Sequence, residues 1–289
     1  MKVRGRVRNE RGGRERGRRQ GRFRRSRRAL FCAVVMAAWS IACGTKSPPA
    51  RLSELWALRY GSSRLEETAV FADGKNGAFV EIAWILYALK WEGRWIVIDP
   101  GFDDPVLREA FGVAWTDPLS LLSEIGVRPE KVHTVLVTHG HFDHAGLVQR
   151  FPYARVIINR DARRDALARS RTQDQAAFWR QSPRIETFDE RIIIDEGFFM
   201  EKVGGHAFGS SVIRLEAERI ILTGDEAYLP ANWEGPRFNG SVVNPDANRR
   251  FLCLLSREAK HLTVLTMHDP SLVPHNPGYR RLFPLQKKD

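Results

Sequence analysis

Cysteine is scarce in this chain: three in 289 residues, at positions 32, 43 and 253. If Cys43 carries lipid, the mature body keeps Cys253 alone and an internal disulfide scaffold is excluded. Cys253, within Arg250-Phe-Leu-Cys-Leu-Leu, reads as a buried helix residue and not as a nucleophile. Long apolar runs are missing too. The longest, Ala29 to Ala42, spans about fourteen residues, short of the roughly 20 that a membrane-crossing helix needs. The body also lacks an excess of either charge. The net charge is +12, and residues 1–28 account for all of it with fourteen Lys and Arg against two Glu. Residues 29–289 are balanced in charge, so composition gives the mature domain no nucleic-acid-binding surface.

What is present begins with the leader. A basic stretch, an apolar run of signal-peptide length and the small-x-small pattern Ser40-Ile41-Ala42 precede Cys43. Ile41-Ala42-Cys43 resembles a bacterial lipoprotein box, and Ser26 to Phe31 resembles a twin-arginine export motif. Residues 1–43 are therefore expected to be a basic leader and signal peptide, with Cys43 as the lipidation site. Residues 44–51 form a short polar tether and residues 52–289 a single domain, exported to the periplasm or anchored to its membrane. A hydrophobic content of 43% is enough for a core of that size.

The domain is organised around Thr138-His139-Gly140-His141-Phe142-Asp143-His144-Ala145-Gly146. Three imidazoles and a carboxylate fall directly after Val132 to Val137, a β-branched run that reads as a buried strand. Four such ligands so close together can hardly all serve one tetrahedral ion. His139 and His141, two apart in extended backbone, point the same way and can grip one ion. Asp143 and His144, entering the next turn, can reach a second.

The pattern His-x-His-x-Asp-His resembles that of the metallo-β-lactamase superfamily. The resemblance implies further ligands, and the chain has candidates at later strand ends. His206, in Gly204-Gly205-His206-Ala207-Phe208-Gly209, stands where that family has Gly-His-Thr-Pro-Gly and would complete the first site. Asp225, ending the apolar run Ile221-Leu222-Thr223-Gly224, corresponds to the carboxylate shared by both metals. His268, in Thr266-Met267-His268-Asp269, would close the second site. Asp99-Pro100-Gly101 is similar to the family's Asp-x-Gly, whose carboxylate supports the metal loops from behind; a turn-forming Asp before Gly is the other reading. The remaining histidines, His133, His261 and His275, are assigned to surface or loop.

Strands are expected at 55–60, 81–90, 94–98, 132–137, 154–159, 191–194, 198–203, 212–217, 219–222 and 262–267. Helices are expected at 105–111, 118–125, 145–151, 161–169, 173–182 and 245–260. Ligands at strand ends in both halves imply an α+β fold, the αββα sandwich of two packed mixed sheets flanked by helices that the resemblance predicts.

The cofactor expected is a pair of Zn²⁺ ions, with Mn²⁺ or Fe²⁺ as other divalent candidates. Two such ions would share a bridging hydroxide, with Asp143 orienting it and passing its proton to the leaving group. Asp in place of Cys at 225 argues against β-lactamases that bind zinc through a thiolate, and the chain stops too soon after His268 for the helical domain of glyoxalase II. The region from Asp225 to Asp269 is most similar to the N-acyl-homoserine lactonase branch. There a Tyr three residues after the bridging Asp hydrogen-bonds the lactone, and Tyr228 stands at that offset. Phe142, Trp233 and Phe238 are expected to wall the substrate cleft. The expected partner is thus a small ester or lactone, with thioesters, phosphodiesters and β-lactams as alternatives inside the family. A different class, an RNA-binding nuclease using residues 1–28 as a basic arm, requires that arm to remain attached. N-terminal sequencing of the natural protein separates the two: a mature start at Cys43 is expected, and retention of the arginine-rich arm would overturn the export reading.

Overall fold

A computed structural model describes residues 51–235 and 237–284 of the chain; the expected signal segment and Cys43 lie outside the described residues. In chain order the elements are β1 (Leu52–Glu66), α1 (Glu67–Val70), β2 (Phe79–Trp91), β3 (Arg94–Ile98), α2 (Pro105–Ala110), β4 (Ala114–Trp115), α3 (Pro118–Glu124), β5 (Val132–Val137) and α4 (Phe142–Ala145). Next come β6 (Arg155–Asn159), α5 (Arg160–Ala168), α6 (Gln173–Gln181), β7 (Ile185–Phe188), β8 (Arg191–Asp195), β9 (Phe198–Lys202), β10 (Ser211–Leu215), β11 (Ile220–Leu222), α7 (Ala231–Glu234), α8 (Pro245–Glu258), β12 (Thr263–Leu265) and β13 (Gly278–Phe283).

Local chemistry places most of these. Glu92 and Gly93 both take positive φ, 47° and 78°, the two-residue turn that joins β2 to β3 with strand-compatible twist. Asp104 and Asp117 cap α2 and α3, each accepting from backbone N–H groups of the first turn, with Pro at the first helical position.

The strands form two sheets. One runs β13-β1-β2-β3-β5-β6-β7, with β4 beside β1, and is antiparallel up to β3 and parallel from β3 to β7. The other runs β12-β11-β10-β9-β8 and is antiparallel except for the β11–β12 pair. Side-chain alternation gives each sheet two apolar faces. Along β2, Ala83, Ile85, Tyr87 and Leu89 meet Phe198, Met200, Ile213, Leu215 and Leu222 of the second sheet. Ile82, Trp84, Leu86 and Ala88 face outwards instead, in one cluster with Leu121 and Leu122 of α3 and Ala162 and Ala166 of α5. Val212 and Ile221 turn to Phe251, Leu252 and Leu255 of α8. Helix, sheet, sheet, helix is the expected αββα sandwich.

Several expectations need correction. The helix expected over 145–151 is the four-residue α4 and a separate single turn, Val148–Arg150. It stops because Leu147 N donates to Gly101 O (3.0 Å) and so leaves the helical ladder. The strand over 262–267 shortens to β12, and it is not the last, because β13 pairs with the outer edge of β1. Strands β7 and β13 carry mixed, weakly alternating sequence suited to edges. Cys253 is exposed: α8 buries Phe251, Leu252 and Leu255, and a residue two on from Phe251 falls on the opposite face.

The sheets are also joined by backbone at one end. Ala83 N and Ile85 N of β2 donate to His268 O and Met267 O just past β12, both at 3.0 Å, and Ser211 N of β10 donates to Thr138 O (3.0 Å). That end carries the histidines.

Candidate metal centre

Strand β5 ends at Val137, and the next seven residues curl into α4 with His139, Asp143 and His144 turned into the protein. The turn is tight because it leans on α5. A Cβ on Gly140 would lie 2.5 Å from Ala166 N and 2.7 Å from Ala162 O, so only glycine lets the loop approach. His206 comes from the loop between β9 and β10, Asp225 from the single turn after β11, and His268 from the chain after β12. All seven expected ligands converge. His139, His141, His206 and Asp225 offer ligand atoms within 4.8 Å of one another, as do Asp143, His144, Asp225 and His268.

Asp225 belongs to both groups: Oδ1 faces the second, while Oδ2 reaches both, lying 3.3 Å from His268 Nε2. Oδ2 lies 3.5 Å from His206 Nε2 and 3.8 Å from His139 Nε2. Oδ1 lies 3.2 Å from both His144 Nε2 and His268 Nε2. Asp143 Oδ2 faces the second group, 3.1 Å from His144 Nε2 and 3.6 Å from His268 Nε2. His141 turns Nδ1 inwards, 3.1 Å from His206 Nε2.

The outer nitrogens are occupied. His206 Nδ1 is 2.8 Å from Ser241 O and His268 Nδ1 is 2.9 Å from Ala83 O, contacts that place the proton outside and the lone pair of Nε2 inside. His144 Nδ1 is 2.8 Å from Asp99 Oδ2. The same carboxylate accepts Thr138 Oγ1 (2.6 Å) and Thr138 N (2.7 Å), so Asp99 ties His144 and the start of the loop together from behind. The inner atoms are less well served. His139 Nε2, His144 Nε2 and Asp225 Oδ1 are buried without a hydrogen-bond partner, although His144 and Asp225 come within 3.2 Å. Buried polar atoms left in that state cost free energy unless something fills the gap between them. Imidazole and carboxylate donors in two groups of four, sharing one carboxylate, fit a pair of divalent cations.

Electrostatics divides the two groups. Burial, then the neighbouring imidazoles, holds His139 well below the usual histidine range, and burial and His206 bring His141 down to about 4. His144 goes the other way: burial opposes its charge, but Asp143, Asp225 and Asp99 together raise it well above the ordinary value. Burial likewise opposes ionisation of Asp143 and Asp225, yet His144 and His268 keep Asp143 below, and Asp225 well below, the usual carboxylate range.

Beside this centre opens a cavity of about 460 Å³, a size suited to a small organic molecule. Phe142 and Tyr228 line it as expected, with Leu65, Trp84, Leu107 and Phe111. Tyr228 stacks on His268, ring centroids 4.9 Å apart and planes 18° off parallel. Burial, then Asp225 and Asp143, raises its hydroxyl well above the usual tyrosine value, so it remains a proton donor. Trp233 and Phe238 do not line the cavity. Asn232 Oδ1 accepts from Tyr228 N and Leu229 N, and its Nδ2 donates to Arg237 O. That curl sends Trp233 and Phe238 to the cluster under α8.

Sequence reasoning missed Glu226. Fully buried, it accepts from Gly205 N (2.9 Å), His206 N (3.1 Å), Ser210 Oγ and Asn248 Nδ2 (2.8 Å), and so fixes the loop that carries His206. A second acid straight after Asp225 was the available signal. The backbone acceptors Ala83 O and Ser241 O had none.

Comparison with known proteins adds an independent line. The family model described as the metallo-beta-lactamase superfamily matches residues 84–268. N-acyl homoserine lactonase AiiB of Agrobacterium fabrum is 28% identical over 181 residues, covering 55% of this chain and 66% of that protein. N-acyl homoserine lactonase AttM of Rhizobium radiobacter is 26% identical over 246 residues, covering 75% of this chain and 93% of its own. Among solved structures, an N-acyl homoserine lactone hydrolase with N-hexanoyl-L-homoserine at its catalytic metal center superposes with a TM-score of 0.67 at 18% identity, covering 80% of this chain and 100% of that one.

Two measurements test the centre. Asp99→Asn is expected to weaken metal binding about 10–100-fold in chelator competition, since the carboxylate orients His144; unchanged affinity would remove Asp99 from the site. Because His144, against the opposing effect of burial, is raised well above the usual histidine value by Asp143, Asp225 and Asp99, and a ligand must be neutral, metal uptake is expected to release protons and to weaken as pH falls. Titration calorimetry in buffers of different ionisation enthalpy reads this directly, and identical heats in both would contradict it.

Proposed function

The chain belongs to the metallo-β-lactamase superfamily, and we propose that it is a dinuclear zinc hydrolase that opens lactone rings of the acyl-homoserine type. One observation carries the reading. Asp225 is shared by two ligand groups at the floor of a largely apolar cavity, with a protonated tyrosine stacked over the second group. The two lactonase relatives support the choice of substrate.

His139, His141, His206 and Asp225 would hold one ion and Asp143, His144, Asp225 and His268 the other. Bound there, two divalent cations supply Lewis acidity, lowering the pKa of water and polarising a carbonyl. The nitrogen and oxygen donor set suits zinc. The chain's own groups do the rest. Asp143, held ionised, accepts the proton that attacking water gives up and returns it to the departing ring oxygen. Tyr228 donates a hydrogen bond to the oxygen on which negative charge collects. Trp84, Phe111 and Phe142 offer apolar wall to an acyl chain and keep bulk water from it. The apolar run before Cys43 supports placing this reaction outside the inner membrane.

Acid release from an acyl-homoserine lactone, followed in a pH-stat, is the direct test. Ring opening is expected, abolished in Asp225→Ala and His139→Ala, with kcat lowered about 100-fold in Tyr228→Phe. Turnover of a thioester or phosphodiester without ring opening would move the enzyme elsewhere in the family.

A further inference from the structure

A neutral lactone with an aliphatic tail needs metal ligands and apolar wall. The cavity provides both, and something more. Among the described residues that line it, Arg169 and Arg171 are the only charged ones outside the two ligand groups. No acid other than Asp143 and Asp225 shares the lining.

The two arginines sit on the short connection between α5 and α6, and that connection is fixed. Arg169 N bonds back to Asp165 O (3.0 Å) at the end of α5. Ser170 Oγ donates to Ala166 O (3.0 Å), Arg171 N donates to Gln175 Oε1 (2.9 Å), and Thr172 caps α6 through Gln175 N (3.1 Å). Since Gly140 packs directly on Ala166, the connection is also held in place against the metal loop. Each guanidinium is anchored by one atom. Arg169 Nε donates to Asp165 Oδ2 (2.8 Å), and Arg171 Nε to Asp104 Oδ2, whose other oxygen caps α2. No bond from either terminal Nη pair to a described residue is present, and those paired donors match the fork of a carboxylate.

We propose that Arg169 and Arg171 form an anion-binding rim on the cavity, and that the preferred substrate carries a carboxylate on its acyl arm. This rests on the hydrolytic reading above and narrows its substrate class to an acidic amphiphile: aliphatic against Trp84 and Phe111, anionic against the arginines. Both side chains are about half exposed, at 51% and 44%, so solvent screens the pair and the expected gain is about tenfold, or about 1.4 kcal/mol.

The test needs no turnover. Binding of octanoate and of octanamide to the metal-loaded enzyme is compared by calorimetry in wild type, Arg169→Gln, Arg171→Gln and the double variant. Octanoate is expected to bind about tenfold tighter than octanamide in wild type, and that ratio to fall towards one in the double variant. Equal binding of the two compounds in wild type, no binding of either, or a ratio that survives both substitutions would overturn the proposal, the last because the metals alone would then hold the carboxylate. Asp104→Asn retains both positive charges while loosening the Arg171 anchor; if it collapses the ratio as far as Arg171→Gln does, the arginine is merely structural and the proposal falls. Arg169→Gln, on an exposed helix end, carries the test should the double variant not fold. Lactone opening with no preference for a carboxylated acyl arm would sink this proposal alone. Octanoate discrimination without any lactone opening would sink only the ring-opening reaction.

Discussion

Four of the buried carboxylates, Asp99, Asp143, Asp225 and Glu226, gather at the end of the sandwich that carries the histidines. A buried anion is tolerated only when charge or donors surround it, and each of these is surrounded differently. Asp99 is met by the Thr138 backbone and hydroxyl and by His144; Glu226 by two backbone N–H groups, Ser210 and Asn248. Asp143 and Asp225 are met chiefly by the imidazoles of His144 and His268, with the Tyr228 hydroxyl also on Asp225. Asp99 and Glu226 accept from backbone N–H groups, whereas Asp143 and Asp225 face imidazoles of the two candidate groups. That difference separates the acids that hold the loops from the acids of the two candidate metal groups.

Most of the centre was legible from the chain because its ligands sit where strands stop. An apolar strand that runs into His or Asp has a polar side chain at a place water does not reach, and four such endings pointed to one location. What lay beyond reading was the part that depends on backbone. The carbonyls of Ala83 and Ser241 orient His268 and His206, yet every residue has a carbonyl and none announces its partner. Trp233 and Phe238 were expected at the cleft from the position of their loop, but the side chain of Asn232 folds that loop towards α8, a choice made by three hydrogen bonds. Cys253 shows the same limit on a smaller scale. Apolar neighbours on both sides suggested burial, and helical phase put it outside.

The fold was read with similar unevenness. Central strands β2, β3, β5, β6 and β11 are rich in β-branched and aromatic residues and were visible. Edge strands β7 and β13 were not, since an edge tolerates the charges that blur alternation. The helix expected after His144 failed for a tertiary reason: Gly101, on the loop after β3, takes the N–H of Leu147 that would have extended it.

The backbone bonds from Ala83 and Ile85 to the chain beyond β12 have a bearing on metal choice. They make the gap between the histidines of one sheet and those of the other a property of main chain and not of side-chain reach. The bore of the cage is thus inherited from the thickness of the hydrocarbon layer behind it, where Leu222 and Leu265 stand with Leu136 and Ile98. Swapping a leucine there for a bulkier or slimmer residue retunes the bite offered to an ion without touching a ligand, so preference between a smaller and a larger cation is open to drift through positions that never meet the metal.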